Sequence, residues 1–284
     1  MILERTASDG LQAGLELTND TLEAHSSQVS VPCYDRAALT PAIVHLGVGG
    51  FHRAHQAMYL EELARRGETG WGECGVGLRR RDMKDALEPQ DNLFTVVARD
   101  ADDEEARVVG VMVRYLYAPE DPKAMLDVLA DVQTRLVTLT ITKDGYNVDM
   151  VTGAFKSEEA AVQADLAHPD QPTTVSGYLV ESLDRRRRRG LRPFSVLSCD
   201  NMQDNGAITR TAVLSFARLR DEELAHWIEH NVAFPSSMVD RITPETTFEA
   251  QELVAQSMGV EDRWPVVTEP FAQWIVQDTF YRDC

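Results

Sequence analysis

The chain contains 284 residues, of which 43% are hydrophobic and 26% charged, and its formal net charge is −18 at pH 7. This excess of acid argues against a nucleic-acid partner, because phosphate binding needs a basic surface. No apolar run approaches the ~20 residues that a membrane-spanning helix needs, and the N-terminus lacks the segments of a secretory signal. We therefore expect a cytoplasmic protein with no membrane partner. The four cysteines include no C-x-x-C pair, which indicates reduced thiols rather than a disulfide framework or a zinc site.

Residues 1–40 are polar and weakly patterned, which predicts an extension packed on the domain that follows. From 41 to 284, short apolar strands alternate with amphipathic helices. This alternation predicts an α/β fold with a Rossmann-type, doubly wound, mostly parallel sheet and helices on both faces. The strands predicted for that sheet are 43–49, 72–79, 135–142 and 194–200, and the predicted helices are 52–67, 121–134, 173–189, 206–219 and 221–231.

Segments 93–99 and 106–118 are rich in β-formers and follow one another closely, which predicts inserted antiparallel strands. Two further strand-like segments, 236–243 and 265–270, lie near the end of the chain. The sequence does not indicate an oligomeric state.

The stretch VHLGVGGFHRAHQ (44–56) joins the first predicted strand to the first helix through Gly47, Gly49 and Gly50. Glycines at such a turn let backbone N–H groups approach a pyrophosphate, and the following helix supplies partial positive charge. The G-x-G-x-x-G fingerprint is only partly met, because its third position is His52. We interpret the turn as a dinucleotide site.

A metal site is the alternative, since His52 and His55 would share one face of a helix. A third ligand would have to come from elsewhere in the chain, because only Glu61 and Glu62 lie nearby. We therefore expect no metal, with the imidazoles packing near the dinucleotide.

Five segments together resemble the mannitol 2-dehydrogenase family of long-chain, polyol-specific dehydrogenases, which includes fructuronate and tagaturonate reductases. They are GVGGFHRAHQ, CGVGLR, LTITKDGYN, SCDNMQDNG and FPSSMVDRITP, and the similarity runs from about residue 30 to the end. The resemblance implies a nucleotide-binding domain followed by a helical substrate domain. It also implies metal-independent hydride transfer between a sugar alcohol or ketose and NAD(P), as in mannitol to fructose. The cofactor turn would comprise Gly47, Val48, Gly49, Gly50, Phe51, His52 and Arg53.

The resemblance also assigns catalytic roles to Asn201 and Asp240. Asn201 follows the predicted strand 194–200, and in the family this asparagine polarises the reacting oxygen; an amide N–H aimed at developing negative charge stabilises a transition state. Its alternative role is an Asx-turn or helix cap. Asp240 lies beside apolar residues, so its carboxylate is expected either to be buried with Arg241 or another partner, or to tune a catalytic group.

The family's general base is a lysine in a K-x-x-x-x-N-x-x-H motif of the second domain. This chain has no such motif, so we expect the helical C-terminal substrate domain to be absent and the chain alone to turn over no polyol. Two alternatives remain open: a hexuronate reductase of the same family, and a non-catalytic dinucleotide-binding module.

The segment GLRRRD (77–82) bears on the choice between NAD and NADP. An acidic side chain after the second strand accepts hydrogen bonds from the adenosine ribose, whereas an arginine accommodates a 2′-phosphate. We predict that NAD is preferred through Asp82 and that Arg81 allows NADP to bind. The alternative is that the arginines form a solvated loop and that only Asp82 meets the ribose.

Overall fold

A computed structural model describes residues 14–101 and 103–280. Its strands are β1 (Leu15–Glu16), β2 (Pro41–Leu46), β3 (Gly72–Gly77), β4 (Phe94–Arg99), β5 (Glu104–Val109), β6 (Met112–Tyr117), β7 (Leu136–Leu139), β8 (Ser195–Ser198), β9 (Ser237–Asp240), β10 (Val260–Glu261), β11 (Val266–Thr268) and β12 (Gln273–Val276). Its helices are α1 (Leu22–His25), α2 (Gly50–Ala54), α3 (Gln56–Arg65), α4 (Asp82–Leu87), α5 (Pro122–Leu129), α6 (Ala160–Ala167), α7 (Val175–Arg188), α8 (Asn205–Arg220), α9 (Glu222–Asn231) and α10 (Phe248–Met258).

The central sheet has five parallel strands in the order β6-β3-β2-β7-β8. The chain starts in the middle at β2, moves outward through β3 and β6, and then crosses to β7 and β8 on the other side. This is the Rossmann strand order, with its switch point between β2 and β7. The predicted fold class is confirmed.

Helices cover both faces of this sheet, as predicted. On one face, Val44 and Leu46 of β2 pack with buried side chains of α5, α7, α8 and α9. On the other face, Ile43 packs with α2, α3 and α4 and with Phe94 of β4. Because consecutive β2 side chains point to opposite faces, the near-continuous apolar run of the strand is explained by burial on both sides.

The inserted strands differ in part from the prediction. β4 and β5 are antiparallel, as expected. The segment 106–118, however, divides at Gly110, and its second half is β6, which runs parallel to β3 in the central sheet. Gly110 is held from two sides, because its N–H donates to Glu61 Oε2 (2.9 Å) and its carbonyl accepts from Arg36 Nε (2.8 Å). A Cβ there would lie 2.7 Å from Pro32 Cγ, so only glycine fits where the chain turns.

The predicted helix 52–67 is also interrupted. It forms α2 and α3, which are separated by His55 with φ −118° and ψ −85°. The His55 ring is hydrogen-bonded through Nε2 to the carbonyl of Gln273 (2.8 Å), a residue far away in the sequence. His55 makes this contact at the point where the helix is interrupted. His52 and His55 therefore do not share one helical face.

Residues 14–40 contact the domain closely. β1 pairs with β10, and Leu17 and Val29 are buried in a small core with Val97 and Val254. Residues 1–13 lie outside the described part of the chain, so the boundary at 40 stays a prediction. Across the described residues, no helix is long and apolar enough to cross a membrane.

Candidate functional site

A groove of about 560 Å³ opens at the carboxyl ends of β2, β3 and β7. This is the edge at which Rossmann-type sheets bind ligands, and its volume is ordinary for a small-molecule site. Its lining comprises Gly47, Val48, Gly49, Gly50, Gly77, Leu78, Arg79, Arg80, Asp82, Met83, Tyr115, Thr140, Ile141, Thr142, Glu245, Thr246 and Trp264.

At position 47 the turn requires glycine. Its φ is +99°, a backbone conformation that L side chains rarely adopt. A Cβ added to it would lie 2.1 Å from the carbonyl oxygen of Thr140, because β2 and β7 approach closely at the switch point. Gly49 has an extended backbone (φ −144°), and the nearest atom to its added Cβ is 3.8 Å away, so its open side faces the groove.

A chain of hydrogen bonds holds the Gly47 carbonyl from below. The Thr140 hydroxyl donates to that carbonyl (2.9 Å), so its oxygen accepts the bond from His45 Nε2 (2.8 Å). This makes Nε2 the protonated nitrogen of His45, and Nδ1 then accepts from the Thr138 hydroxyl (2.8 Å). His45 is fully buried, and burial keeps its pKa well below the ordinary value. The ring therefore stays neutral, and the direction of these hydrogen bonds is fixed.

His52 and Glu73 form a second buried group beneath the turn. The His52 ring stacks on His45 with centroids 3.5 Å apart, and its Nε2 lies 3.0 Å from Glu73 Oε2. Both side chains are fully buried. Burial raises the pKa of Glu73 to about 7 and holds the pKa of His52 well below its usual range. With the imidazole neutral and the carboxyl group protonated below about pH 7, the pair is a hydrogen bond and not a charged salt bridge.

Three residues predicted to bind cofactor lie under the turn and do not line the groove. Phe51 packs against the apolar cluster of Leu197, Cys199 and Val239. His52 stacks on His45 and is hydrogen-bonded to Glu73. Arg53 is fully buried, donates to the carbonyls of Trp264 and Gly49, and has its pKa lowered to about 10 by burial. In these places all three support the turn from behind.

The segment after β3 brings charged groups to one end of the groove. Asp82, the first residue of α4, lines the groove together with Arg79 and Arg80, and its carboxylate is hydrogen-bonded by Arg80. Arg81 is placed elsewhere: its guanidinium contacts Asp85 (3.1 Å) and Glu120 (3.2 Å) outside the groove. The arginine nearest to Asp82 in the groove is therefore Arg80.

Other residues that line the groove were missed by the sequence analysis. Glu245, Thr246 and Trp264 reach the groove from far along the chain, and Tyr115 enters it from β6. Thr246 is fixed there by a hydrogen bond to the Pro265 carbonyl (2.6 Å). No local pattern marks Glu245, Thr246 or Trp264, since the segment that carries them is held near the glycine turn by the pairing of β11 with β4.

Asp200 joins two loops at the same edge of the sheet. Its carboxylate accepts the backbone N–H groups of Ile141 and Thr142 (3.0 Å each) and the hydroxyl of Tyr146 (2.6 Å). The loop after β7, which lines the groove, is thereby tied to the loop after β8. Asn201 follows Asp200 directly and is exposed, but it does not line the groove.

Of the two alternatives for Asp240, burial with Arg241 or another partner is excluded, and the tuning of a catalytic group stays a prediction. Asp240 is exposed at the end of β9, whereas the neighbouring Arg241 is buried. Arg241 is satisfied by backbone carbonyls of Ala54 and Glu269 rather than by the aspartate. The alternating directions of neighbouring strand side chains send one of the pair inward and the other outward. Asp240 is near His55, whose pKa is lowered by burial; the hydrogen bond to the Gln273 carbonyl and, to a smaller extent, the charge of Asp240 oppose that shift.

Within residues 14–101 and 103–280, no three potential ligands among His, Cys, Asp and Glu come together as a metal site. His52 and His55 are bonded to Glu73 and to the Gln273 carbonyl, respectively.

The chain is similar to curated mannitol dehydrogenases. It is 48% identical over 263 residues to mannitol 2-dehydrogenase of Aspergillus clavatus, covering 90% of this chain and 52% of that protein. It is 42% identical over 279 residues to a mannitol dehydrogenase of Saccharomyces cerevisiae, covering 97% and 55%. The chain thus spans about half the length of the curated relatives it matches.

Two solved structures share its fold at high identity. One is Pseudomonas fluorescens mannitol 2-dehydrogenase in a ternary complex with NAD and D-mannitol, with TM-score 0.92 and 44% identity over 95% of this chain and 56% of that one. The other is a D-sorbitol dehydrogenase in substrate-free form, with TM-score 0.89 and 42% identity over 94% and 56%. The family model described as the mannitol dehydrogenase Rossmann domain matches residues 41–283. The chain belongs to the mannitol dehydrogenase family.

Proposed function

We propose that this chain forms the dinucleotide-binding part of an NAD-dependent polyol dehydrogenase that interconverts mannitol and fructose by hydride transfer. The observation that carries the proposal is the Gly47–Gly50 turn, whose open side lines a groove at the switch point of a Rossmann sheet. A similar protein has been solved with both NAD and D-mannitol. We also propose that 41–284 is one nucleotide-binding domain, that residues 1–40 pack on it, and that the protein works in the cytoplasm.

The residues of the groove fit a dinucleotide. Gly49 and Gly50 line the groove without side chains of their own, so their backbone N–H groups would hold the pyrophosphate. Asp82 would accept hydrogen bonds from the adenosine ribose. When bound, the nicotinamide supplies the hydride acceptor or donor. Phe51, His52 and Arg53 contribute by fixing the turn against the sheet and the Trp264 segment.

Asn201 and Asp240 are the candidate catalytic residues. Asn201 is exposed just beyond Asp200, whose bonds to Ile141 and Thr142 connect its loop to the groove wall. Its amide would donate to the substrate oxygen, where negative charge develops during alcohol oxidation. Asp240 is exposed next to buried Arg241 and close to His55, a position in which it would orient a polyol hydroxyl or tune a neighbouring group.

The proposed substrate class is a sugar alcohol or its ketose. Both high-identity structures are polyol dehydrogenases by description, one of mannitol and one of sorbitol. We propose mannitol because the curated relatives quoted above are mannitol dehydrogenases.

Nucleotide binding tests the proposal directly. NAD and NADP are titrated into the 284-residue chain by calorimetry, with adenosine as a ligand that lacks the pyrophosphate. We expect NAD to bind, NADP to bind more weakly, and adenosine to bind weakest. Absence of NAD binding by a folded chain would refute the proposal.

A second measurement addresses the reaction. Mannitol, sorbitol and fructuronate are compared as substrates or products of a polypeptide carrying this chain together with the remaining length that its relatives have. We expect mannitol oxidation to be fastest, and Asn201→Ala to lower kcat with little change in the affinity for NAD. A preference for fructuronate would instead support the hexuronate reductase.

A further inference from the structure

The hydroxyl of Tyr115 has no hydrogen-bond partner within the described residues, although it is buried. The side chain is 6% exposed and lines the groove, and its oxygen is sealed from water. Leaving a buried hydroxyl unpaired is costly, and folded proteins rarely do so without a reason. Other buried tyrosines of this chain are paired: the Tyr146 hydroxyl bonds to Ser198 Oγ and Asp200 Oδ2, at 2.6 Å each.

Two glycines of β3 make room for this side chain. Gly75 and Gly77 lie two residues apart, so they present the same face of the strand to the neighbouring β6. A Cβ at Gly77 would lie 2.4 Å from the Tyr115 hydroxyl oxygen, and one at Gly75 would lie 3.5 Å from the ring and 2.6 Å from Met112 Sδ. The alternation of glycine in GECGVG therefore admits the phenol beneath the carboxyl end of β3.

The Tyr115 hydroxyl lies at the end of the groove that contains Arg80 and Asp82. It lies against Gly77, the last residue of β3, and the chain continues from there to Arg80 and Asp82. Under the proposed function, this end of the groove takes the adenosine ribose. The hydroxyl is thus set below the adenosine half and away from the switch point, where Gly47 meets Thr140.

We infer that Tyr115 is a dinucleotide-binding residue whose hydroxyl bonds to the adenosine half of the cofactor, and this inference rests on the proposed function. The ligand supplies the partner that residues 14–101 and 103–280 do not supply. Because the oxygen is covered before binding, forming the bond requires a local shift of the groove wall at Tyr115. Because the hydroxyl has no partner among the described residues and gains one in the complex, it favours the bound state.

Tyr115→Phe tests this inference because affinity and stability should move in opposite directions. The variant keeps the ring that packs in the core and removes only the unpaired oxygen. We expect its urea unfolding midpoint to equal or exceed that of the wild type, while its affinity for NAD and for AMP falls about fivefold. The affinity for nicotinamide mononucleotide should not change.

Tyr146→Phe is the matched control, since it removes a buried hydroxyl that has two partners. It should lower the unfolding midpoint. If Tyr115→Phe lowers the midpoint as much, or binds AMP as tightly as the wild type, the inference is overturned. A wild-type chain that binds neither AMP nor NAD would instead refute the proposed function, so the two failures are distinguishable.

Discussion

Replacing Gly47 by alanine should remove a large part of the free energy of unfolding. Two contributions to this loss can be worked out from the structure. The backbone φ of +99° costs an alanine about 1–2 kcal/mol. The new Cβ would lie 2.1 Å from the carbonyl oxygen of Thr140, the residue that follows β7. Because β7 is hydrogen-bonded to β2, this carbonyl cannot move freely. Relieving such overpacking costs about 1–3 kcal/mol more. We expect Gly47→Ala to lose about 2–5 kcal/mol of a stability that is typically about 5–15 kcal/mol.

Two other glycines separate these contributions. Gly153 has a φ of +71° and no atom within 4 Å of an added Cβ, so Gly153→Ala should lose only about 1 kcal/mol, from backbone strain alone. Gly49 has neither strain nor a clash, so Gly49→Ala should fold as well as the wild type, yet bind NAD at least tenfold more weakly because its methyl group enters the groove. Urea unfolding followed by circular dichroism measures the first two effects, and calorimetry measures the third. A Gly47→Ala variant as stable as Gly153→Ala would refute the steric part of the reasoning.

Three further predictions follow from the polar groups around the turn. Thr140→Val removes the hydroxyl between His45 and the Gly47 carbonyl and should cost about 1–3 kcal/mol with weaker NAD binding, whereas Thr140→Ser should keep both; equal urea midpoints for the two variants would contradict the hydrogen-bond chain. The folded state raises the pKa of Glu73 from 4.5 to about 7, so the folded chain binds this proton more tightly than the unfolded chain. The resulting stability is present below pH 4.5 and is lost as the pH rises to about 7. Glu73→Gln should flatten that fall in the free energy of unfolding, measured from pH 4.5 to 8. Asp82→Ala should shift preference towards NADP, and Arg80→Gln should weaken NADP binding about fivefold. Arg81→Gln should change the affinity for neither nucleotide, because Arg81 contacts Asp85 and Glu120 outside the groove. A large effect of Arg81→Gln in NADP titrations would show that Arg81, and not Arg80, is the arginine that meets NADP.

The sequence predicts the central part of the fold well because its signals are local. The apolar run of β2, the glycines that follow it and the amphipathic helix after them occur within one strand–turn–helix unit, so the switch point could be located from residues 43–67 alone. The same kind of local alternation identified β3, β7 and β8 and the helices α5 and α7, whereas α4 and α6 were not predicted.

Other features depend on contacts between distant segments and could not be predicted in this way. Helix 52–67 is interrupted because His55 meets the Gln273 carbonyl. Arg81 turns away from the groove because Glu120 lies beside it, and the groove wall at Trp264 exists because β11 pairs with β4. The inward direction of Arg241 likewise depends on carbonyls of Ala54 and Glu269. In each case the partner lies tens to hundreds of residues away, where hydrophobic periodicity carries no information.

The pairing of β11 with β4 has a consequence for the order of folding. Val266 lies opposite Val96 in a parallel register, and the adjoining Trp264 carbonyl accepts a hydrogen bond from the buried Arg53 behind the glycine turn. A growing polypeptide can assemble β2, β3, β6, β7 and β8 long before Trp264 has been synthesised, but until then the guanidinium of Arg53 lacks this acceptor. Closing so long a loop is slow compared with forming neighbouring contacts. The nucleotide groove is therefore finished last, and a chain that stops short of Trp264 would keep its central sheet and still lack a completed binding site.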